Sequence, residues 1–176
     1  MKTKHWSLLF DFFSDTHKRW EHYLQKEENK ESLLYLRTSI RKSLETLKSQ
    51  LSEFLNEREV YLTLFPLVIY FDEFVLLHQH TNQKLDWPPL QYELYNTYNG
   101  GEVFYETLQD LLNKPDTLPM IYEVYYYCLR KGFKGKYIDA PEKIEEILSL
   151  CRQNIPFPTI DEVLIEEDCD FDMDYS

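Results

Sequence analysis

The sequence predicts an all-α protein. Apolar side chains recur at intervals of three and four residues through most of the 176-residue chain, which is the spacing of one helix face. Gly occurs four times and Pro eight times, so few positions interrupt a helix. With 43% hydrophobic residues, including 14 Tyr and 11 Phe, the chain has enough apolar surface for a packed core.

The N-terminal third predicts two amphipathic helices. In the clearer one, at about 30–56, the apolar face consists of Leu33, Leu36, Ile40, Leu44, Leu47, Leu51 and Phe54. The same pattern occurs upstream at Trp6, Leu9, Phe13, Trp20 and Leu24. A polar run at 26–31 separates the two segments, so we expect an antiparallel helical hairpin.

The third segment, at about 60–77, is apolar on nearly all sides. Two short buried strands broken at Pro66 would fit its composition, but its length favours a central helix with a kink or a restart at this proline. Its uncharged apolar part, 60–71, is shorter than the roughly 20 residues that cross a bilayer. We therefore do not expect it to span a membrane.

Four shorter helices are expected after a polar, proline-containing loop at 78–89. They cover about 90–98, 102–112, 118–131 and 141–154. Asn99-Gly100-Gly101 separates the first two, and Pro141 suits the first turn of the last. Gly132 and Gly135 suit a helix C-terminal cap followed by a tight turn.

The charge of the chain disfavours nucleic acid and anionic membranes as partners. The chain has 19 Lys+Arg against 31 Asp+Glu, a net charge of -12, whereas both of those partners require a basic face. Eight of the acidic residues follow Arg152 in a stretch without Lys or Arg, which leaves residues 1–152 at -4. Three widely spaced cysteines suit a reducing compartment.

Asp72 and Glu73 are the strongest candidates for a site. An ionised carboxylate in apolar surroundings costs several kcal/mol unless it has a partner, and their neighbours in the predicted helix are apolar. We expect donors from another helix or a cleft open to water. The candidate cations are Arg37, Arg41, Arg130 and Lys136. Structural anchoring, a partner-binding cleft and catalysis stay open, although adjacent helical residues point about 100° apart and so converge poorly on one substrate.

Other patterns do not predict a catalytic, cofactor or metal site. His78 and His80 would lie on different sides of a helix, and zinc-like ligand spacing is absent from the sequence. The alternating acids at 168–174 resemble a calcium loop, but Met173 stands where an EF-hand requires Gly. Gly100-Gly101 fits a tight turn better than a phosphate-binding loop. We expect no catalytic residue, no cofactor and no metal.

A set of motifs occurs in a fixed order across about 65–137. They are Tyr70-Phe-Asp72-Glu73-Phe-Val-Leu, Trp87, Tyr98-Asn-Gly100-Gly101-Glu-Val-Phe104-Tyr105, Tyr126-Tyr127-Cys128-Leu129 and Gly132-Phe133-Lys-Gly135-Lys136-Tyr137. As a set they resemble the cytoplasmic domain of the TssL/DotU family of type VI and type IVb secretion systems. That family carries an Asp-Glu pair in a buried helix, a downstream Trp, a Gly-Gly-Glu helix start and a Gly-Phe-x-Gly-Arg-Tyr turn.

The resemblance implies about seven to eight helices in two small packed bundles with a hook-like shape. Residues 1–155 would form the helical cytoplasmic domain and 156–176 an acidic, flexible tail. The partner-binding or structural cleft carries over to Asp72 and Glu73. The structural motif carries over to Trp87, Gly100, Gly101, Phe104, Gly132, Phe133, Gly135, Lys136 and Tyr137.

The resemblance also implies a noncatalytic scaffold or adaptor subunit at the cytoplasmic face of the bacterial inner membrane. Its expected partners are a TssM/IcmF-like membrane protein and baseplate subunits of the TssK-like and TssE-like kinds, with a homodimer as a further option. Two alternatives stay open. One is a small all-α enzyme that uses Asp72 and Glu73, and the other is a free-standing helical adaptor.

Three features depart from the family pattern. Members usually end in a single transmembrane helix, whereas this sequence ends in the acidic tail, so membrane contact is expected only through an anchor that this chain does not contain. Lys136 stands where the family has Arg, which weakens bidentate pairing with a carboxylate. Pro66 lies where the family helix runs without interruption.

Overall fold

The computed structural model describes residues 2–26, 29–79 and 86–156, and this part of the chain is entirely helical apart from its turns and loops. The elements in order are α1 (Lys2–Gln25), α2 (Lys30–Leu51), α3 (Glu57–His78), α4 (Leu90–Tyr95), α5 (Gly100–Leu112), α6 (Pro119–Arg130), a 3-10 turn (Gly135–Tyr137) and α7 (Pro141–Gln153). The all-α class is confirmed, and the two buried strands that the composition of 60–77 also allowed are not formed. The predicted acidic tail lies outside the described residues from 157 onward.

Two helices end earlier than the sequence predicts. Helix α2 ends at Leu51 instead of near 56, because the chain turns there and Asn56 caps the next helix. The Asn56 side chain accepts a hydrogen bond of 2.8 Å from the Glu59 N–H, and the Glu59 carboxylate accepts one of 3.0 Å from the Asn56 N–H. Helix α4 ends at Tyr95, because Asn96 has a left-handed backbone with a φ of 51°.

We expect the substitution Asn56→Ala to lower the free energy of unfolding by about 1 kcal/mol, because the Glu59 N–H loses its acceptor at the start of α3. Urea denaturation measures this change. Asn56→Ser, which keeps an oxygen at the cap, serves as the control and should retain most of the stability. Equal stability of the alanine variant and the unaltered chain would contradict the role of the cap.

Helix α3 is the centre of the fold. It contacts α2, α4, α5 and α6, and its buried residues extend from Val60 to Val75. Pro66 lies inside one continuous helix of 22 residues, so the helix does not restart there. By length and composition this helix could cross a membrane, contrary to the estimate from the shorter apolar stretch 60–71. However, 72% of its most apolar window is buried within the fold, which is typical of a core helix.

Helices α1 and α2 form the predicted antiparallel hairpin. Midway along the two helices, the Ser43 hydroxyl lies 3.4 Å from an Asp15 carboxylate oxygen. Residues near the end of α1 and residues near the start of α2 line the same groove, as an antiparallel arrangement requires. Aromatic contacts attach α1 to α3 and α6. Phe12 meets Phe71 of α3 at 5.7 Å between ring centroids, and Phe13 stacks on Tyr127 of α6 at 3.8 Å.

The remaining packing is consistent with two small groups of helices, one formed by α1 and α2 and the other by α3, α6 and α7. Helix α1 packs chiefly on α2, whereas α6 packs on both α3 and α7. The buried side chains of both groups form one continuous hydrophobic core. The hook-like overall shape stays a prediction.

Candidate functional site around the Asp-Glu pair

Asp72 lies in the last third of α3, and 2% of its surface is exposed. Its Oδ1 accepts hydrogen bonds of 2.8 Å from the Trp87 indole N–H and the Leu90 N–H, and its Oδ2 accepts one of 2.9 Å from the Gln91 N–H. Leu90 and Gln91 begin α4, where backbone amides have no acceptor within the helix, and Pro89 supplies no side-chain cap. Asp72 therefore caps α4 from another helix, and its charge suits the positive end of the helix dipole.

Glu73 caps a different segment. Its Oε2 accepts a hydrogen bond of 2.9 Å from the Lys134 N–H, and its Oε1 accepts one of 2.8 Å from the Gly135 N–H. These amides lie at the start of the 3-10 turn Gly135–Tyr137. The two adjacent carboxylates thus hold two separate segments against α3, as their different directions on one helix require.

The predicted arginine partners of the pair are wrong. Arg37 donates from Nε to the Pro88 carbonyl at 2.7 Å, and its guanidinium lies 3.6 Å from the Glu93 carboxylate. Arg41 also pairs with Glu93, at 3.0 Å. Both arginines therefore contact α4 and the residues just before it. Backbone amides and one indole N–H take the place of side-chain cations at the Asp-Glu pair.

Among the described residues, the other two predicted cations form no ion pair with Asp72 or Glu73. The Lys136 ammonium lies 5.0 Å from the centre of the Tyr137 ring, and Arg130 is exposed. Lys136 follows Gly135, whose backbone N–H donates to the Glu73 carboxylate. The contact with Glu73 is therefore made by the backbone of this segment and not by the Lys136 side chain. The Arg-to-Lys departure from the family pattern consequently leaves the capping of the 3-10 turn intact.

Gln91 extends the contacts from α4 to α5. Its side-chain oxygen accepts a hydrogen bond of 2.9 Å from the N–H of Gly100, the first residue of α5. A Cβ at Gly100 would collide with this oxygen and with Ile69 Cδ1 of α3. A larger residue at position 100 would therefore displace the Gln91 side chain that accepts the hydrogen bond from this N–H. Asp72, Gln91 and Gly100 together attach the starts of α4 and α5 to α3.

The two glycine-containing turns meet backbone to backbone. A Cβ on Gly101 would lie 3.2 Å from Gly135 Cα, and a Cβ on Gly135 would lie 2.8 Å from the Gly101 carbonyl oxygen. Gly135 also has a φ of +54°, a conformation that glycine adopts at little cost. The segment that Glu73 holds is thus packed directly against the start of α5.

Gly132 ends α6 as the sequence predicts. Its φ is +104°, its N–H donates to the Leu129 carbonyl at 3.1 Å, and the Phe133 N–H donates to the Cys128 carbonyl at 3.0 Å. This pair of bonds is a Schellman motif, which uses the last free carbonyls of the helix. It turns the chain so that Phe133 enters the core.

An aromatic cluster lies under these turns. Phe104 is fully buried and packs on Phe133 at 4.2 Å between centroids. The Tyr105 hydroxyl donates to the Lys134 carbonyl at 2.7 Å. Burial first, and then the nearby charge of Glu73, raise the pKa of Tyr105 well above its ordinary value. The hydroxyl therefore stays protonated and available as the donor.

The structure brings most of the predicted site residues together. Trp87, Gly100, Gly101, Gly135 and the Asp-Glu pair share contacts at one end of α3, and Phe104, Phe133 and Tyr137 pack beneath or beside them. Lys136 lies in the 3-10 turn and Gly132 in the C-terminal cap of α6, and neither binds a carboxylate of the pair in the described part of the chain. Sequence reasoning missed Leu90 and Gln91, which have no motif of their own. Within the described residues, no group of His, Cys, Asp and Glu is placed to hold a metal ion.

Comparison with known proteins gives one family and one fold. A family model described as type VI secretion system protein DotU matches residues 9–164. The structure of DotU from Francisella novicida is similar with a TM-score of 0.75 and 25% identity, over 86% of this chain and 99% of that chain. The cytoplasmic domain of TssL from Acinetobacter baumannii has a TM-score of 0.71 and 23% identity, over 84% and 94%, and shares the fold. No curated protein matches the chain significantly in sequence.

Proposed function

The chain belongs to the DotU family of type VI secretion system proteins, and from this premise we propose that it is a noncatalytic scaffold or adaptor. Family membership makes it a subunit of the type VI secretion membrane complex at the inner membrane. The proposed partners are a TssM/IcmF-like membrane protein and baseplate subunits of the TssK-like and TssE-like kinds. The helical domain would meet them from the cytoplasmic face.

The engagement of Asp72 and Glu73 is the observation that supports a noncatalytic role. Each carboxylate oxygen accepts at least one hydrogen bond, and four of the five donors are backbone amides of other segments. A general acid or base must instead reach a substrate proton directly or through one water. The two residues that the enzyme alternative requires are therefore explained as tertiary caps.

An exposed aromatic surface beside α4 supports a role in protein contact. Tyr92 and Tyr98 stack at 4.3 Å between centroids, and their exposed fractions are 44% and 74%. Tyr61 is 40% exposed and meets Tyr95 of α4 edge to face at 5.4 Å. Tyrosine is enriched in protein interfaces and among the residues that dominate binding energy. We call Tyr61, Tyr92 and Tyr98 the tyrosine surface.

Asp72 connects the buried site to this surface. It holds the first two amides of α4, and Tyr92 lies in the same short helix. Six residues are too few for a stable isolated helix in water, so α4 depends on contacts with the rest of the fold. Asp72 would thus act on partner binding by positioning α4, which carries Tyr92, the residue that stacks on Tyr98.

We expect the double substitution Tyr92→Ala/Tyr98→Ala to weaken binding of the cytoplasmic region of a TssM/IcmF-like protein from the same host by about 10-fold or more. Isothermal titration calorimetry on the full chain measures the affinity. Tyr92 is 44% exposed and Tyr98 is 74% exposed, so the substitution removes mainly the stacking of these two rings, and the melting temperature should fall only slightly.

Tyr35→Ala is the matched control, because Tyr35 is 72% exposed but lies on α2. Its affinity for the same partner should equal that of the unaltered chain. Unchanged affinity in the Tyr92/Tyr98 variant would contradict the tyrosine surface, and no measurable binding by the unaltered chain would contradict the proposed partner.

A further inference from the structure

A groove lies between α1 and α2, with a cavity volume of about 660 Å³. Its lining comes from residues 18–23 of α1, Lys26 just after the end of that helix, and residues 31–39 of α2. None of these residues contributes to the Asp-Glu site or to the tyrosine surface. The groove therefore needs an explanation separate from the proposed function.

One wall of the groove is basic. Lys18, Arg19 and Lys26 line it together with His22, whereas Glu31 is the acidic residue in the lining. Arg19 is partly neutralised by Asp15, at 2.9 Å. Among the described residues, however, neither Lys18 nor Lys26 forms an ion pair. Such a basic surface contrasts with the net charge of -12 on the whole chain.

The opposite wall offers an apolar contact. Tyr35 is 72% exposed at the groove, and Leu36 and Tyr23 are buried beneath it. An exposed aromatic ring flanked by lysines fits a peptide that carries both carboxylates and apolar side chains. The space between two packed helices is also a common docking place for such a peptide.

The chain contains a segment with this chemistry. Residues 157–176 carry eight Asp and Glu and no Lys, Arg or His. From Asp168 to Tyr175 each Asp alternates with Cys, Phe, Met or Tyr. Twenty residues can extend to about 66 Å, which exceeds the roughly 40 Å across a domain of this size, so the segment can reach the groove from the end of α7.

We propose that the acidic C-terminal segment 157–176 binds in the groove between α1 and α2 of its own chain. The Asp and Glu side chains face Lys18 and Lys26, and an aromatic side chain of the segment contacts Tyr35. The attraction is electrostatic at an exposed surface, so salt weakens it.

Paramagnetic NMR on the full chain tests this placement, with a nitroxide attached to Cys169. The other cysteines, Cys128 and Cys151, are buried, and burial raises the pKa of both thiols, that of Cys151 to about 12. They therefore react slowly with the label. The variant Cys169→Ser reports any labelling of those two thiols.

We expect strong broadening of the amide signals of residues 18–26 and 31–39. The variant Lys18→Glu/Lys26→Glu should reduce this broadening several-fold. Raising the salt should do the same, since the screening length falls from about 8 Å at 0.15 M to about 3 Å at 1 M. The variant Lys48→Glu/Lys114→Glu has the same charge change on exposed residues outside the groove and should leave the broadening unchanged.

Three outcomes would overturn the proposal. One is the absence of broadening at the groove, and another is equal broadening over the whole surface. The third comes from a mixture of isotope-labelled chains without nitroxide and unlabelled chains with it. Broadening of the groove signals in that mixture would assign the contact to the tail of a second copy instead of the same chain.

Discussion

Replacing Asp72 with alanine is expected to lower the free energy of unfolding by about 3 to 5 kcal/mol. The substitution leaves the indole N–H of Trp87 and the backbone N–H groups of Leu90 and Gln91 without their acceptor. Each buried donor without a partner costs about 1 to 3 kcal/mol. Urea denaturation followed by circular dichroism measures the loss.

Two variants separate this effect from a general loss of charge near α4. Asp72→Asn keeps one carbonyl oxygen but presents an NH₂ group toward one of the donors, so its stability should be intermediate. Glu93→Ala removes an exposed carboxylate of α4 that pairs with Arg41, and should cost less than about 1 kcal/mol. If Asp72→Ala costs no more than Glu93→Ala, the capping of α4 by Asp72 is wrong.

The same variants also test the link between the buried pair and partner binding. In conditions where the fold persists, Asp72→Ala should weaken binding of the TssM/IcmF-like region, because α4 loses its anchor beside the tyrosine surface. Glu73→Ala should have a smaller effect on stability than Asp72→Ala, since Glu73 is half-buried and accepts two hydrogen bonds instead of three. Unchanged binding and unchanged melting temperature in both alanine variants would refute the anchoring role of the pair.

The substitution Gly135→Ala is expected to cost about 2 to 4 kcal/mol, from two causes. An alanine at a φ of +54° pays for a left-handed backbone, and its Cβ would lie 2.8 Å from the Gly101 carbonyl oxygen and 3.0 Å from Phe133 Cζ. The backbone oxygen cannot move without shifting the start of α5. Thermal and urea denaturation of the full chain measure the combined cost.

Two further variants divide that cost between conformation and contact. Gly132→Ala has a positive φ of +104° but open space around its Cβ, so it should show the conformational cost alone, about 1 to 2 kcal/mol. In Gly135→Asn, the asparagine tolerates the left-handed conformation but still introduces a Cβ. This variant should therefore remain clearly destabilised. A Gly132→Ala variant less stable than Gly135→Ala would contradict the close approach of the two turns.

The helices could be predicted from the sequence because the signals that determine them are local. The intervals of three and four residues in α2 repeat over several turns, so they identify the body of the helix clearly. The difference between the predicted and the observed helix is therefore confined to its end. The sequence predicts the end of α2 five residues too late, because Phe54 continues the periodicity although Asn56 and Glu59 already form the next cap. The Gly132 cap was likewise recognisable from the residue type.

The family could also be inferred from the sequence, because its motifs lie in order along the chain. The matching family model extends well beyond them, over residues 9–164. The motifs placed Asp72 and Glu73 at the centre of the site. They did not indicate what those carboxylates bind.

The sequence by itself therefore determined the helical class and most of the helix positions, and it identified the Asp-Glu pair as the candidate site. Only the tertiary structure decided the partners of that pair, because four of their five donors are backbone N–H groups, which every residue other than proline possesses. Arg37 and Arg41 looked suitable by charge, yet they pair with Glu93. A backbone amide becomes a specific partner only when the folded chain brings a helix start to a carboxylate, and that meeting depends on contacts as far as 62 residues apart in the sequence.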